Sequence, residues 1–303
     1  MRLSFHTLDV FTNKRFGGNP LAVVLDADAL DTATMQTIAR EFNLSETVFV
    51  MKPEGPAHSA RIRIFTPMAE VPFAGHPTVG TAALLAELRS PPVNGQQDAI
   101  VVLEEKIGAD RVGIQLRNGS ATLAEFDAPR LPEEEGKAPA SDRLASALGL
   151  IHSEIGFENH RPTRFTAGNA FIFVPVATLE AMTKAHISSS HWAGAFAGET
   201  AVGVFLYTRQ VIHTTSAFHA RVFAPDHGIA EDPATGSAAA AFAGVVHRFD
   251  EPTEGVHRRV IEQGFEMGRP SLITVSLSVD QGRLSAVRIA GHAVRVSEGT
   301  IEI

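Results

Sequence analysis

The chain has no cysteine among its 303 residues. Disulfides, thiolate metal sites and a thiol acid/base pair are therefore excluded. Long apolar runs are missing too: nothing approaches the roughly 18 consecutive residues that a membrane-spanning helix needs. The opening residues contain no apolar h-region of a secretory signal, so a cytoplasmic location is expected. Basic clusters are scarce. The longest, His257-Arg-Arg259, is too short to matter, and the formal net charge is -8. These features argue against a nucleic-acid partner. There is no Walker loop, no Gly-x-Gly-x-x-Gly and no Gly-x-Ser-x-Gly. The pairs His213/His219 and His186/His191 lack ligand spacing and nearby carboxylates, so no metal site is expected.

Hydrophobic residues make up 44% and charged residues 20% of the chain, as in ordinary globular proteins. The length allows two modest domains or one large one. The most informative feature is a stretch that occurs twice. One copy runs from Phe65 through Gly75-His-Pro-Thr78 to Ala83, the other from Phe223 through Asp232-Pro-Ala-Thr235 to Ala239. With Pro77 and Pro233 aligned, His76 falls on Asp232, Gly80 on Gly236 and Thr81 on Ser237. A second landmark repeats upstream, where Gly18-Asn19 and Gly168-Asn169 each precede a short apolar run. The interval from Asn19 to His76 nearly equals that from Asn169 to Asp232. An offset of roughly 150 residues implies a duplicated half rather than a solenoid repeat.

Each copy reads as a strand, a loop and then the N-terminus of a helix, with a polar side chain at the helix mouth. Proline suits the first helical position, and Asp232 is a good N-cap where His76 is a poor one. Free amides and the positive dipole end favour an anion there. The two helices, about Thr78–Ala86 and Ala234–Val246, carry no charged face and should be buried all round. Around them the pattern predicts strands at 3–10, 21–25, 47–51, 61–65, 99–104, 111–116 and 120–126. It continues with strands at 170–174, 201–207, 216–223, 271–279, 284–289 and 293–296. Further helices are expected over 28–42, with Asp31 as cap, and at 141–150, 179–185 and 190–196. Ser90–Gly95 reads as a loop. Asp127–Ala140, with its prolines and Glu133-Glu-Glu135, reads as a linker whose acidic run is a solvated loop. The expected division is an N-terminal lobe of residues 1–127, completed by a C-terminal strand near 292–303, and a second lobe of residues 128–291.

Glu46 is the leading candidate for chemistry. A carboxylate entering an apolar strand is desolvated, which raises its pKa toward a useful proton-shuttle range. On local sequence alone, an exposed strand-end glutamate remains the commoner outcome. His76 and Asp232 occupy equivalent places and would meet if the two halves faced one another. A plain N-cap accounts for Asp232 equally well. Histidine caps poorly, so His76 asks for another reason. Ser237 could donate to a bound carboxylate or simply be a small residue in a packed helix. Gly75 and Gly236 could admit a ligand to backbone amides or serve close packing.

Four stretches taken together resemble the PhzF-like family, named for an isomerase of phenazine biosynthesis. They are Gly18-Asn-Pro-Leu-Ala-Val-Val24, Glu41-Phe-Asn-Leu-Ser-Glu-Thr-Val-Phe49, Glu70 through Ala82, and Glu231-Asp-Pro-Ala-Thr-Gly-Ser-Ala238. The resemblance implies an α+β fold like that of diaminopimelate epimerase, with two pseudo-symmetric lobes, each a barrel-like sheet around a central helix. It implies that Glu46 is the acid/base, that His76, Asp232 and Ser237 orient and polarise the substrate, and that Gly75, Gly236 and Asn19 bind it. The implied reaction is a cofactor-independent proton shift on a small carboxylate-bearing substrate, catalysed by a homodimer. Two alternatives stay open: an amino-acid racemase or epimerase, and a ligand-binding or interaction member with little turnover.

Overall fold

The computed structural model describes residues 1–90 and 94–303. Part of the expected Ser90–Gly95 loop thus lies outside the described residues. The chain divides into two compact units. The first holds Met1–Asp127, Arg269–Ser271 and Ile289–Ile303; the second holds Ala128–Gly268 and Leu272–Arg288. No described helix is long and apolar enough to cross a membrane.

In the first unit the strands are β1 (Arg2–Val10), β2 (Asn19–Val24), β3 (Glu46–Met51), β4 (Ala60–Phe65), β5 (Glu70–Val71), β6 (Gln96–Glu105), β7 (Gly108–Arg117) and β8 (Ser120–Asp127). The helices are α1 (Thr32–Phe42) and α2 (Gly75–Arg89). β1 pairs antiparallel with both β2 and the C-terminal strand Ala293–Glu302. β2 and β3 are parallel, which requires a crossover, and α1 supplies it. Asp31 caps that helix by accepting from the Thr34 amide at 2.7 Å. β3 pairs antiparallel with β4, and β4 runs parallel to β6 across α2. β6, β7 and β8 form a meander. α2 touches β1, β2, β3, β6, β7, β8 and the C-terminal strand, so the sheet curls around it. Every residue from Gly75 to Ala86 is buried, as an uncharged helix requires. On the outer face, α1 packs Met35 and Ala39 against Leu3, Val24, Phe49 and Phe65.

The second unit repeats this order. β9 (Glu133–Glu134) pairs with β10 (Thr163–Thr166), so part of the acidic run expected as a free loop forms a short, exposed edge strand. β10 pairs antiparallel with β11 (Ala170–Pro175), which is parallel to β12 (Gly203–Thr208). The helices α3 (Ser141–Ala147), α4 (Leu179–Lys184) and α5 (Ser189–Phe196) pack against β11 and β12. β12 pairs antiparallel with β13 (Phe218–Ala224), which leads to β14 (Ile229–Asp232). α6 (Gly236–Asp250) then crosses to β15 (Gly255–Gln263), parallel to β13. β16 (Ser271–Asp280) and the strand Arg283–Gly291 follow. The fold is thus mixed α+β, with the same strand-crossover order used twice.

The repeat extends to side chains. Arg63 on β4 makes a two-pronged bond to Glu70, both contacts at 2.8 Å, and stacks over Phe65. Arg221 on β13 does the same with Glu231, also at 2.8 Å twice, and stacks over Phe223. Glu104 accepts two successive loop amides, Glu54 and Gly55; Glu262 accepts Ile212 and His213.

Candidate active site

Strand register brings Glu46 to its place. In the parallel β2–β3 pair, Glu46 lies beside Leu21. Side chains alternate along a strand, so Asn19, Leu21 and Glu46 share one face. That face fronts α2, because a Cβ on Gly80 would sit 2.7 Å from Leu21 Cδ2. The first turn of α2 carries His76, whose Nε2 stands 3.2 Å from Glu46 Oε2. The side chains are 4% and 13% exposed respectively. Burial pushes the His76 pKa down to about 3. The imidazole is therefore neutral at physiological pH, facing a carboxyl group that has little contact with water. Asn19 opens β2 and is wholly buried.

The second unit places Asp232 at the end of β14, 9% exposed. Its Oδ2 accepts from Thr235 Oγ1 at 2.5 Å. Gln263 holds the same turn: its Nε2 donates to the Asp232 carbonyl at 2.7 Å and to Thr235 Oγ1 at 3.0 Å. Its Oε1 accepts from the Thr235 amide at 3.2 Å. Gly236 is buried and opens α6, and Ser237 follows it, half-buried. Behind this turn, wholly buried His219 sits between Glu262 at 2.8 Å and Glu266 at 2.9 Å. Burial opposes its charge, yet the two carboxylates raise its pKa to about 9.

Two expectations about the helix mouths are corrected. α2 begins at Gly75, so His76 lies inside its first turn and Pro77 is not its first residue. α6 begins at Gly236 with Thr235 at the cap, so Asp232 is a strand-end residue and not the N-cap. In the second copy the Gln263 bonds hold Pro233 and Ala234 in a loop before the helix starts.

The phenazine biosynthesis-like protein family profile (PhzC-PhzF) matches residues 8–299. The chain belongs to that family. An uncharacterized isomerase of Mesorhizobium japonicum is 50% identical over 97% of this chain and 97% of its own. The trans-2,3-dihydro-3-hydroxyanthranilate isomerase of Pseudomonas fluorescens is 34% identical over the same shares. A crystal structure of the PhzF-family phenazine biosynthesis protein of Bacillus anthracis superposes with a TM-score of 0.88 at 26% identity, covering all of both chains. This PhzF-like chain is accordingly an isomerase.

Of the residues singled out from its sequence, Glu46, His76, Gly75 and Asn19 lie in the first unit, with Glu46 and His76 in contact. Asp232, Gly236 and Ser237 lie together in the second. Sequence reading missed Thr235, Gln263 and Glu262, and its expectation that His219 lacks nearby carboxylates is corrected: the fold brings Glu262 and Glu266 to its two ring nitrogens. The strand that bears Glu262 and Gln263 opens with the polar run His257-Arg-Arg259, which hides its alternation. The signal that could have found them is the duplication itself, since Glu104-Glu105 follows β4 in the same register.

Proposed function

We propose that this isomerase moves a proton between carbons of a small, carboxylate-bearing ring substrate without a cofactor, and that Glu46 is the acid/base. The observation that carries the reading is the contact of Glu46 with a buried, neutral His76. A shuttling carboxyl must take a proton from one carbon and keep it long enough to return it to another. The carboxyl is only 13% exposed, so little bulk water competes for the proton while it is held. A cationic partner would hold the carboxyl ionised. A neutral imidazole does not; Nε2 and Oε2 stand 3.2 Å apart without a hydrogen bond between them in the resting site, and a small turn of either side chain lets the ring donate to the carboxylate or accept from the acid. In this reading His76 orients Glu46 and polarises the substrate. Asn19 and Gly75, in the same unit, bind the substrate's polar groups, while Asp232, Gly236 and Ser237 form the matching polar cluster of the second unit. Negative charge developing on the substrate is stabilised by fixed donors, which need no reorganisation during the step.

The substrate class rests on the relative named for trans-2,3-dihydro-3-hydroxyanthranilate, a ring acid. The test is incubation of this compound, and of other ring carboxylates, with the protein in deuterated water. Wild type should place solvent deuterium at carbon. Glu46→Gln should lower the rate by about 10²–10⁴-fold, the usual contribution of a general acid/base, with the fold unchanged. Undiminished exchange in the variant would reject the role.

A further inference from the structure

The duplication pairs two residues that chemistry would separate. Arg61 on β4 lies opposite Glu104 on β6, and His219 on β13 lies opposite Glu262 on β15. The next residue is Glu105 in one unit and Gln263 in the other. Gln263 is an amide that ties down the turn at the start of α6 through Thr235. Glu105 reaches the start of α2 through Thr78: Oε1 and Oγ1 are 2.7 Å apart. Thr78 Oγ1 also lies 2.9 Å from the Ala74 carbonyl.

Proton counting discriminates between the two directions of this bond. A hydroxyl has one hydrogen and a carbonyl has none. Both contacts of Thr78 are hydrogen bonds only if its hydroxyl donates to Ala74 and Glu105 supplies the other proton. The surroundings agree. Alternation places Val101, Leu103 and Glu105 of β6 on the face towards α2, with Asp110, Val112 and Ile114 of β7. Glu105 Oε2 and Asp110 Oδ2 are buried and make no hydrogen bond. An ionised Glu105 would leave a bare charge there, beside a second carboxyl.

We infer that Glu105 works as a hydrogen-bond donor to Thr78, the counterpart of the Gln263 amide, and so fixes the helical turn that carries His76 against Glu46. It is a positioning residue, acting through Thr78, and this role rests on the Glu46–His76 reading above. The charged groups around it are few. From β7 comes Asp110, whose own carboxyl is pushed up to about 6 by burial. From α2 the group that faces it is the uncharged Thr78 hydroxyl. Arg61, Arg63, Glu70, Glu104 and Lys106, on the opposite face or its edge, are engaged with one another, with Glu54 or with His58. Burial first, and Asp110 as a like charge, raise the Glu105 carboxyl to about 8 against the Thr78 bond. The clamp therefore holds at neutral pH; as pH rises through that value the carboxylate can only accept, and the single Thr78 hydrogen can no longer serve both Glu105 and the Ala74 carbonyl.

Carbon-13 labelling of glutamate carboxyls and nitrogen-15 labelling of histidine rings test this by NMR without substrate. In wild type, one glutamate carboxyl should titrate near the Glu105 value of about 8 and be absent from E105Q. The His76 ring signals should move with the same midpoint. In E105Q they should hold their neutral-pH positions throughout, and in T78V they should not follow Glu105. A Glu105 carboxyl that titrates in the ordinary range near 4.5 would overturn the inference, as would E105Q signals displaced at neutral pH. In solvent-deuterium exchange, E105A should lose about tenfold or more through the misplaced turn. E105Q should restore that loss and lack the alkaline fall of wild type. If no compound exchanges even with wild type, the proton-shuttle reading fails, while the NMR titration still decides the clamp.

Discussion

His76 has lost its charge to burial, whereas His219, equally buried, has kept one. The difference lies in their partners. His76 meets a single carboxyl on one ring nitrogen; His219 is bonded on both, to Glu262 and Glu266. Their effects on stability have opposite signs. The His76 pKa falls from 6.5 to about 3, so its contribution is lost as pH drops below 6.5, where the unfolded chain takes up a proton the folded one refuses. The His219 pKa rises from 6.5 to about 9, so its contribution is whole below 6.5 and disappears as pH rises through 9. The unfolding temperature should therefore decline on both flanks, and His219→Ala should flatten the alkaline one. That variant strands two buried carboxylates, and urea unfolding should show a loss of about 3–5 kcal/mol. A loss below about 1 kcal/mol, the size of an exposed pair, would mean that the imidazolium is not the keystone of that cluster.

At the scale of elements, the central helices explain what was legible and what was not. An uncharged run such as Thr78–Ala86 announces burial on every side, and α2 is indeed enclosed by its sheet. Apolar runs and turn residues likewise marked most strands. Helix starts were harder, because the residue that stops or caps a helix depends on bonds from distant strands. Gln263, 28 positions beyond Thr235, holds the loop before α6, and no local pattern reveals that. The short strands β5 and β14 escaped notice for a similar reason: they exist to carry Glu70 and to follow Glu231 toward Asp232, under the Arg63 and Arg221 pairs. Close packing of α2 gives a direct test. A Cβ at Gly80 would lie 2.7 Å from both Leu21 Cδ2 and Val10 Cγ2. Val10 is stiff at χ1 on a buried strand and yields little. Gly80→Ala should cost about 1–3 kcal/mol in chemical denaturation, the range for overpacking. Because Leu21 is the register neighbour of Glu46, the substitution should also slow deuterium exchange more than it weakens substrate binding.

For the whole molecule, the duplicated chain order ties ends that are far apart in sequence. Residues 289–303 belong to the first unit, and the C-terminal strand pairs with β1 along nearly its full length, from Arg2–Glu302 to Val10–Ala293. Removing residues 293–303 would expose the edge of β1 and take away Ile301, which packs with Phe5 on the core beneath α1. Such a truncation should be recovered insoluble or without cooperative unfolding; a soluble, cooperative product would show that β1 tolerates a free edge. The account stands most directly on one experiment. Wild type and Glu46→Gln are incubated with trans-2,3-dihydro-3-hydroxyanthranilate in deuterated water, and deuterium at carbon is followed by mass spectrometry. The account predicts uptake with wild type and a loss of about 10²–10⁴-fold in the variant; uptake at equal rates in both would contradict it.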